Sequence, residues 1–95
     1  MHFWTYLLRC SDGSYYAGHT DNIDVRIAQH NSGQMSGYTS RRRPVTLVWC
    51  AAFPARDDAF AFERRIKGWG RAKKEALIAG DWERISQLAR NRQND

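Results

Sequence analysis

The sequence predicts a two-layer α/β or α+β domain, a three-stranded sheet flanked by helices in the order β-β-α-β-α-α-α. Three observations predict it. Two apolar, β-prone runs joined by a turn occupy Phe3 to Thr20, and a third such run follows Pro44. From Ala55 onward, amphipathic segments are separated by glycines, the signature of helices. One sheet with helices against it is the economical way to bury those faces. An apolar share of 42% with four tryptophans suffices for a modest core. No repeat or linker divides the chain, so residues 1–95 read as a single domain.

The first element is the hairpin FWTYLLRCSDGSYYAGHT, with Ser11-Asp12-Gly13-Ser14 as its turn. Register decides what it can do. A two-residue Asp12-Gly13 turn would pair Cys10 with Tyr15 and send Tyr6 and Tyr16 to opposite faces. A three-residue turn with Gly13 left-handed pairs Cys10 with Ser14, Leu8 with Tyr16 and Tyr6 with Gly18. The two hydroxyls are then diagonal neighbours on one face, and Gly18 leaves a hole over Tyr6. An Xaa-Asp-Gly turn with glycine last favours the second register.

Asp21 is the expected cap of a helix from about Asn22 to Asn31, with Ile23 and Ile27 buried and Asn31-Ser32-Gly33 as its stop. Gln34 to Arg43 is polar and reads as a mobile loop ending in Arg41-Arg42-Arg43. Val45 to Ala52 is apolar on both faces, as expected for a strand in the sheet's middle. Pro54 and Asp57-Asp58 open a helix over Ala55 to Lys67, with Ala59, Phe62 and Ile66 inward and Glu63 off that stripe. Gly68 and Gly70 break it around Trp69. A third helix spans Arg71 to Ala79 and closes at Gly80. Asp81 caps a last one with Trp82, Ile85, Leu88 and Ala89 as its docking stripe. The polar tail from Asn91, residues 91–95, is expected to fray. The tryptophans occupy positions expected of core residues.

Lysine and arginine outnumber aspartate and glutamate 15 to 10, for a net charge of +5. That favours a polyanionic partner but does not prove one. Arg64, Arg65, Lys67, Arg71, Lys73 and Lys74 crowd one stretch around Trp69 and, with Arg41, Arg42 and Arg43, form a candidate phosphate-attracting surface. Cys10 and Cys50 lack CxxC or metal-ligand spacing and read as reduced cysteines of a cytoplasmic protein. No basic n-region with an apolar h-region precedes the first strand, and Leu47 to Phe53 is too short to span a bilayer. Neither export nor a membrane partner is expected. Without a phosphate-cradling glycine loop, no small-molecule cofactor is expected either.

Arg26 and His30, four apart on the first helix, share a face that can point at the tyrosines. Alone, the pair reads as two solvated polar residues of an ordinary amphipathic helix. Glu63 has two readings as well: an i,i+4 ion pair with Lys67, or a hard oxygen ligand for Mg²⁺. His2 and His19 read as structural or incidental.

Trp4-Thr5-Tyr6, then Tyr16-Ala17-Gly18, Arg26, His30 and Glu63 in that order resemble the GIY-YIG nuclease family, and nearest of all its small stand-alone bacterial members. The likeness covers the chain to about Gly80. Two motifs depart from the pattern, Trp-Thr-Tyr standing for Gly-Ile-Tyr and Tyr-Ala-Gly for Tyr-Ile-Gly. The resemblance implies an antiparallel three-stranded sheet and a metal-dependent endonuclease with one Mg²⁺ or Mn²⁺ ion, acting on DNA in repair or recombination. It implies catalytic roles for Tyr6, Tyr16, Arg26, His30 and Glu63. Glu63 would hold the metal and Arg26 would stabilise charge on the phosphorane. Tyr6 would help deprotonate the attacking water, with His30 as alternative or accessory base, and Tyr16 would position water or phosphate. A late asparagine used by some relatives has no evident counterpart. The alternative reading is a non-catalytic nucleic-acid-binding module that keeps these residues.

Overall fold

The hairpin sets the architecture. In the computed structural model, which describes residues 2–90, β1 (Phe3–Arg9) and β2 (Tyr15–Thr20) pair antiparallel with Tyr6 opposite Gly18 and Leu8 opposite Tyr16. Gly13 sits at φ +84°, and the Cys10 amide donates to the Ser14 carbonyl. Asp12 fixes the turn by accepting from the Ser14 amide at 3.0 Å. This is the three-residue turn, and it puts Tyr6 and Tyr16 on one face.

α1 (Ile23–Ser32) follows, then β3 (Thr46–Phe53), α2 (Arg56–Lys67), α3 (Arg71–Ala79) and α4 (Trp82–Arg90). The cap of α1 is Asn22 rather than Asp21, its side chain accepting from the Val25 amide. The sheet order is β2-β1-β3, all antiparallel. β3 is therefore an edge strand, not the middle one. Its residues are half-buried or, like Cys50 and Ala52, exposed, because one side of the strand pairs with nothing in the sheet, while Thr5 to Leu8 of β1 are fully buried. A bulge helps to bend it: Leu7 faces Trp49 but Leu8 faces Leu47, leaving Val48 as the extra residue.

Strand alternation divides the core in two. One face gathers Tyr6, Leu8, Cys10 and Val45 under Ile23 and Ile27 of α1. The other gathers Leu7, Ala17, Ile66, Leu77 and Ile85, carrying α2 to α4. Thr5 Oγ1 donates to the Ala59 carbonyl at 2.7 Å and ties α2 to the central strand.

Three expectations need correction here. Gln34 to Arg43 is the irregular loop expected, but its second half is tied to the hairpin: the Ser11 amide donates to the Arg42 carbonyl, Arg42 pairs with Asp12 at 3.0 Å, and Thr39 is buried. Glu63 lies on the buried line with Ala59 and Ile66, while Phe62 turns toward β3 and meets Trp49 and Phe53. Trp82 is 53% exposed and only Ile85 of the α4 stripe is fully buried, so that helix docks on a narrower face than its pattern suggests. Cys10 and Cys50 are free, and β1 pairs Cys50 with Tyr6 rather than Cys10. The expected fraying after Asn91 falls outside the described residues.

Candidate active site

The site is assembled at the open edge of β2. Tyr6 belongs to the central strand, yet its phenol reaches that edge by lying across Gly18. A Cβ on Gly18 would collide with the Tyr6 hydroxyl and the ring carbon that bears it. The space above Gly18 is thus filled by the tyrosine itself, and the glycine is required by the tyrosine's path.

The Tyr6 hydroxyl lies 3.0 Å from His30 Nε2, and His30 Nδ1 lies 2.8 Å from Thr39 Oγ1. Both Tyr6 and His30 are 1% exposed. Burial, with a smaller push from Tyr16, raises the Tyr6 hydroxyl to about 12, while the Arg26 guanidinium opposes the rise. Burial and then Arg26 hold His30 below the ordinary histidine range. At neutral pH the pair is a phenol and an uncharged imidazole. Arg26 stands one turn before His30 on α1 and is near enough to act on both. The Tyr16 ring meets His30 edge-on at 5.3 Å and stacks with Tyr38 at 6.1 Å between centroids.

Glu63 comes from the other side of the sheet. Alternation puts His19 on the α2 face, where His19 Nδ1 is 2.6 Å from Glu63 Oε1. The second oxygen, Oε2, takes the Lys67 ammonium at 2.8 Å. That bond raises the Lys67 pKa. The Lys67 nitrogen also lies 5.7 Å from the centre of the Tyr16 ring, so the acid of α2 and the phenols of the hairpin converge on one edge. Glu63 is buried and fully partnered. The structure brings Tyr6, Tyr16, Arg26, His30 and Glu63 together, and the i,i+4 pair expected of Glu63 is present alongside.

Glu63 is the carboxylate that reaches this edge. Mg²⁺ takes one or two carboxylates and keeps waters or phosphate oxygens for the rest. Glu63 is the acid available for this. Among the described residues, no group of three His, Cys, Asp or Glu side chains forms a closed cage. Access to Glu63 Oε2 requires Lys67 to move.

The basic candidates divide. Arg42 is spent on Asp12, the Tyr38 carbonyl and the Tyr38 ring, and Arg43 on the carbonyls of Ser40 and Asn31. Arg41 is exposed. Arg64 lies over Phe60 and Lys73 over Trp69, while Arg65 is exposed and Lys74 is half-buried, its pKa lowered by that burial.

Of the two readings open for His19, the structural one holds through its bond to Glu63, and strand register was the signal for that partner: His19 lies two residues beyond Ala17 on the α2 side. Thr39 and Tyr38 carried no signal in a stretch that reads as polar loop.

A three-stranded antiparallel sheet with paired tyrosines at its edge, an arginine and a histidine on one helix and a glutamate on the next defines a class. The profile of the GIY-YIG catalytic domain matches residues 2–76, and the chain belongs to the GIY-YIG nuclease family. Within it the chain is similar to small UPF0213 proteins. One from Halalkalibacterium halodurans is 39% identical over 92 residues, covering 94% of this chain and 98% of the relative. One from Halobacterium salinarum is 46% identical over 73 residues, covering 77% and 95%. Solution NMR structures agree. That of a UPF0213 protein from Bacillus halodurans has a TM-score of 0.54 at 40% identity, covering 93% of this chain and 97% of that one. That of an E. faecalis protein has 0.59 at 34%, covering 84% and 85%.

Proposed function

We propose that the chain is a metal-dependent endonuclease that hydrolyses phosphodiester bonds of DNA in a repair or recombination setting, and that it works in the cytoplasm. The observation that carries the reading is the buried Tyr6–His30 hydrogen bond beside Arg26, on the strand pair that also meets Glu63.

A phenol raised to about 12 is not a base at neutral pH, so Tyr6 acts as a relay. The His30 tautomer protonated at Nδ1 donates to Thr39 and leaves Nε2 to accept from Tyr6. As water attacks phosphorus, its proton passes to the Tyr6 oxygen while the Tyr6 proton passes to His30 Nε2. The phosphorus–oxygen bond to the leaving strand end breaks, its electron pair departs with that oxygen, and the oxygen takes a proton from solvent. Arg26 faces the negative charge that develops on the phosphate oxygens. Tyr16, held between His30 and Tyr38, positions water or phosphate. Glu63 would hold a divalent ion, which would supply Lewis-acid charge to the reaction. Lys67, once released from Glu63, is a cation within reach of the same phosphate.

A second reading is favoured by the engagement of both Glu63 oxygens: a nucleic-acid-binding module whose acid serves only the fold. Incubation with labelled duplex, branched and single-stranded DNA separates the two. The nuclease reading expects cleavage with Mg²⁺ or Mn²⁺ that chelator abolishes. Binding without cleavage on every substrate supports the module.

A further inference from the structure

On the far flank of α2 from Glu63, a groove of about 620 Å³ runs between α2, the α2–α3 turn and α4. Phe62, Trp69 and Ile85 form its floor, Trp82 stands at its mouth, and Arg65 and Lys73 lie along it. The floor is firm: Phe62 and Trp69 meet edge-to-face at 6.2 Å and pack on the buried core. The mouth is open, with Trp82 53% exposed. The Lys73 ammonium sits 5.0 Å from the centre of the Trp69 ring. Among the described residues, Arg65 and Lys73 take no part in an ion pair; Glu63 is taken by Lys67 and Glu75 by Arg71, and Asp58, the acid beside Arg65, lines the neighbouring pocket rather than this groove. The groove thus offers indole surface, and its lining carries two cations and no acid. Its α4 wall lies beyond the residues matched to the catalytic domain.

We propose that this groove binds unpaired nucleotides of the substrate, bases against Trp69 and Trp82 and phosphates along Arg65 and Lys73. An indole stacks on any base, and cations that track the backbone complete a sequence-tolerant single-strand site. A duplex keeps its base faces stacked inside and presents only phosphates. The groove and Glu63 lie on opposite flanks of one helix, roughly 10–12 Å across with its side chains. A strand crossing α2 therefore places a scissile phosphate at the β2 edge and an unpaired base nearby in the groove. The assignment rests on the nucleic-acid reading above and names its substrate as one with a single-stranded segment.

Trp82 is exposed, so Trp82→Ala tests the groove without emptying the core, and Lys73→Glu is a second variant from the facing wall. Binding is measured at low salt with chelator, using fluorescent poly-dT and a blunt duplex, so that cleavage plays no part. Losing one stacking platform is expected to weaken poly-dT binding about tenfold in Trp82→Ala and to leave duplex binding within about twofold. Lys73→Glu is expected to weaken poly-dT binding by a similar factor. Wild-type binding to poly-dT that neither variant changes overturns the groove while leaving the nucleic-acid reading intact. Equal losses on poly-dT and duplex overturn the assignment to unpaired bases. Failure of the wild type to bind any DNA overturns the reading and the groove together.

Discussion

Replacing Tyr6 by phenylalanine tests whether the buried hydroxyl is held as a phenol. The folded hydroxyl is raised from 10.0 to about 12, chiefly by burial, and is 1% exposed. The sign follows from linkage. A group whose folded pKa exceeds its unfolded value stabilises the fold fully below the unfolded pKa and loses that contribution as pH rises through the folded one. The window is therefore from about pH 10 to about pH 12. Each unit is worth about 1.36 kcal/mol, so the full contribution is roughly 2.7 kcal/mol, half of it lost by about pH 11. Urea unfolding followed by circular dichroism between about pH 9 and pH 11 measures it. Wild-type stability should fall about 1.4 kcal/mol more than that of Tyr6→Phe over this range, since the exposed titrating groups are common to both proteins. The absolute stability of the variant is immaterial, because only the difference in slope is read. Parallel curves would refute a buried, proton-retaining Tyr6 and with it the relay role.

Other outcomes follow from the same geometry. Gly18→Ala puts a methyl where the Tyr6 phenol lies; the ring must move off His30, costing about 1–3 kcal/mol in stability and most of any cleavage activity, read by melting and by strand scission. Lowered His30 stays neutral in the fold, so stability present above about pH 6.5 should decline on acidification more steeply in wild type than in His30→Gln, measured by urea unfolding. Lys67→Met frees Glu63 Oε2 and should tighten Mn²⁺ binding at least about threefold by calorimetry. Arg64→Met, which removes a neighbouring charge that lies over Phe60, is the control and should change it less.

The hairpin was legible because its turn chemistry and the period of two act over a few residues: Gly13 fixed the register, and the register fixed the shared face of Tyr6 and Tyr16. The order of elements and the pairing of Glu63 with Lys67 were legible for the same local reason. What lay hidden depends on how α2 rotates against the sheet. The Thr5–Ala59 bond and the small Ala59 let the helix settle with Glu63 inward, facing His19. No periodicity in a short helix of mixed polarity reports that rotation. Continuous apolarity placed β3 in the middle of the sheet, but a partly covered edge strand carries the same pattern. The tethering of Thr39 and Arg42 within the Gln34 to Arg43 loop was hidden because it comes from contacts with Asp12, His30 and the Ser11 backbone, distant in sequence.

The most direct test of a metal-dependent hydrolytic site is strand scission by wild type and Glu63→Gln on branched DNA, each with Mg²⁺ and with chelator. A neutral amide oxygen holds Mg²⁺ poorly, and the substitution leaves Tyr6, His30 and Arg26 in place. Melting on the same preparations checks that the variant remains folded with His19 and Lys67 deprived of their anion. The account predicts wild-type cleavage that chelator abolishes and that falls by several orders of magnitude in the variant. Cleavage by folded Glu63→Gln at the wild-type rate would contradict it.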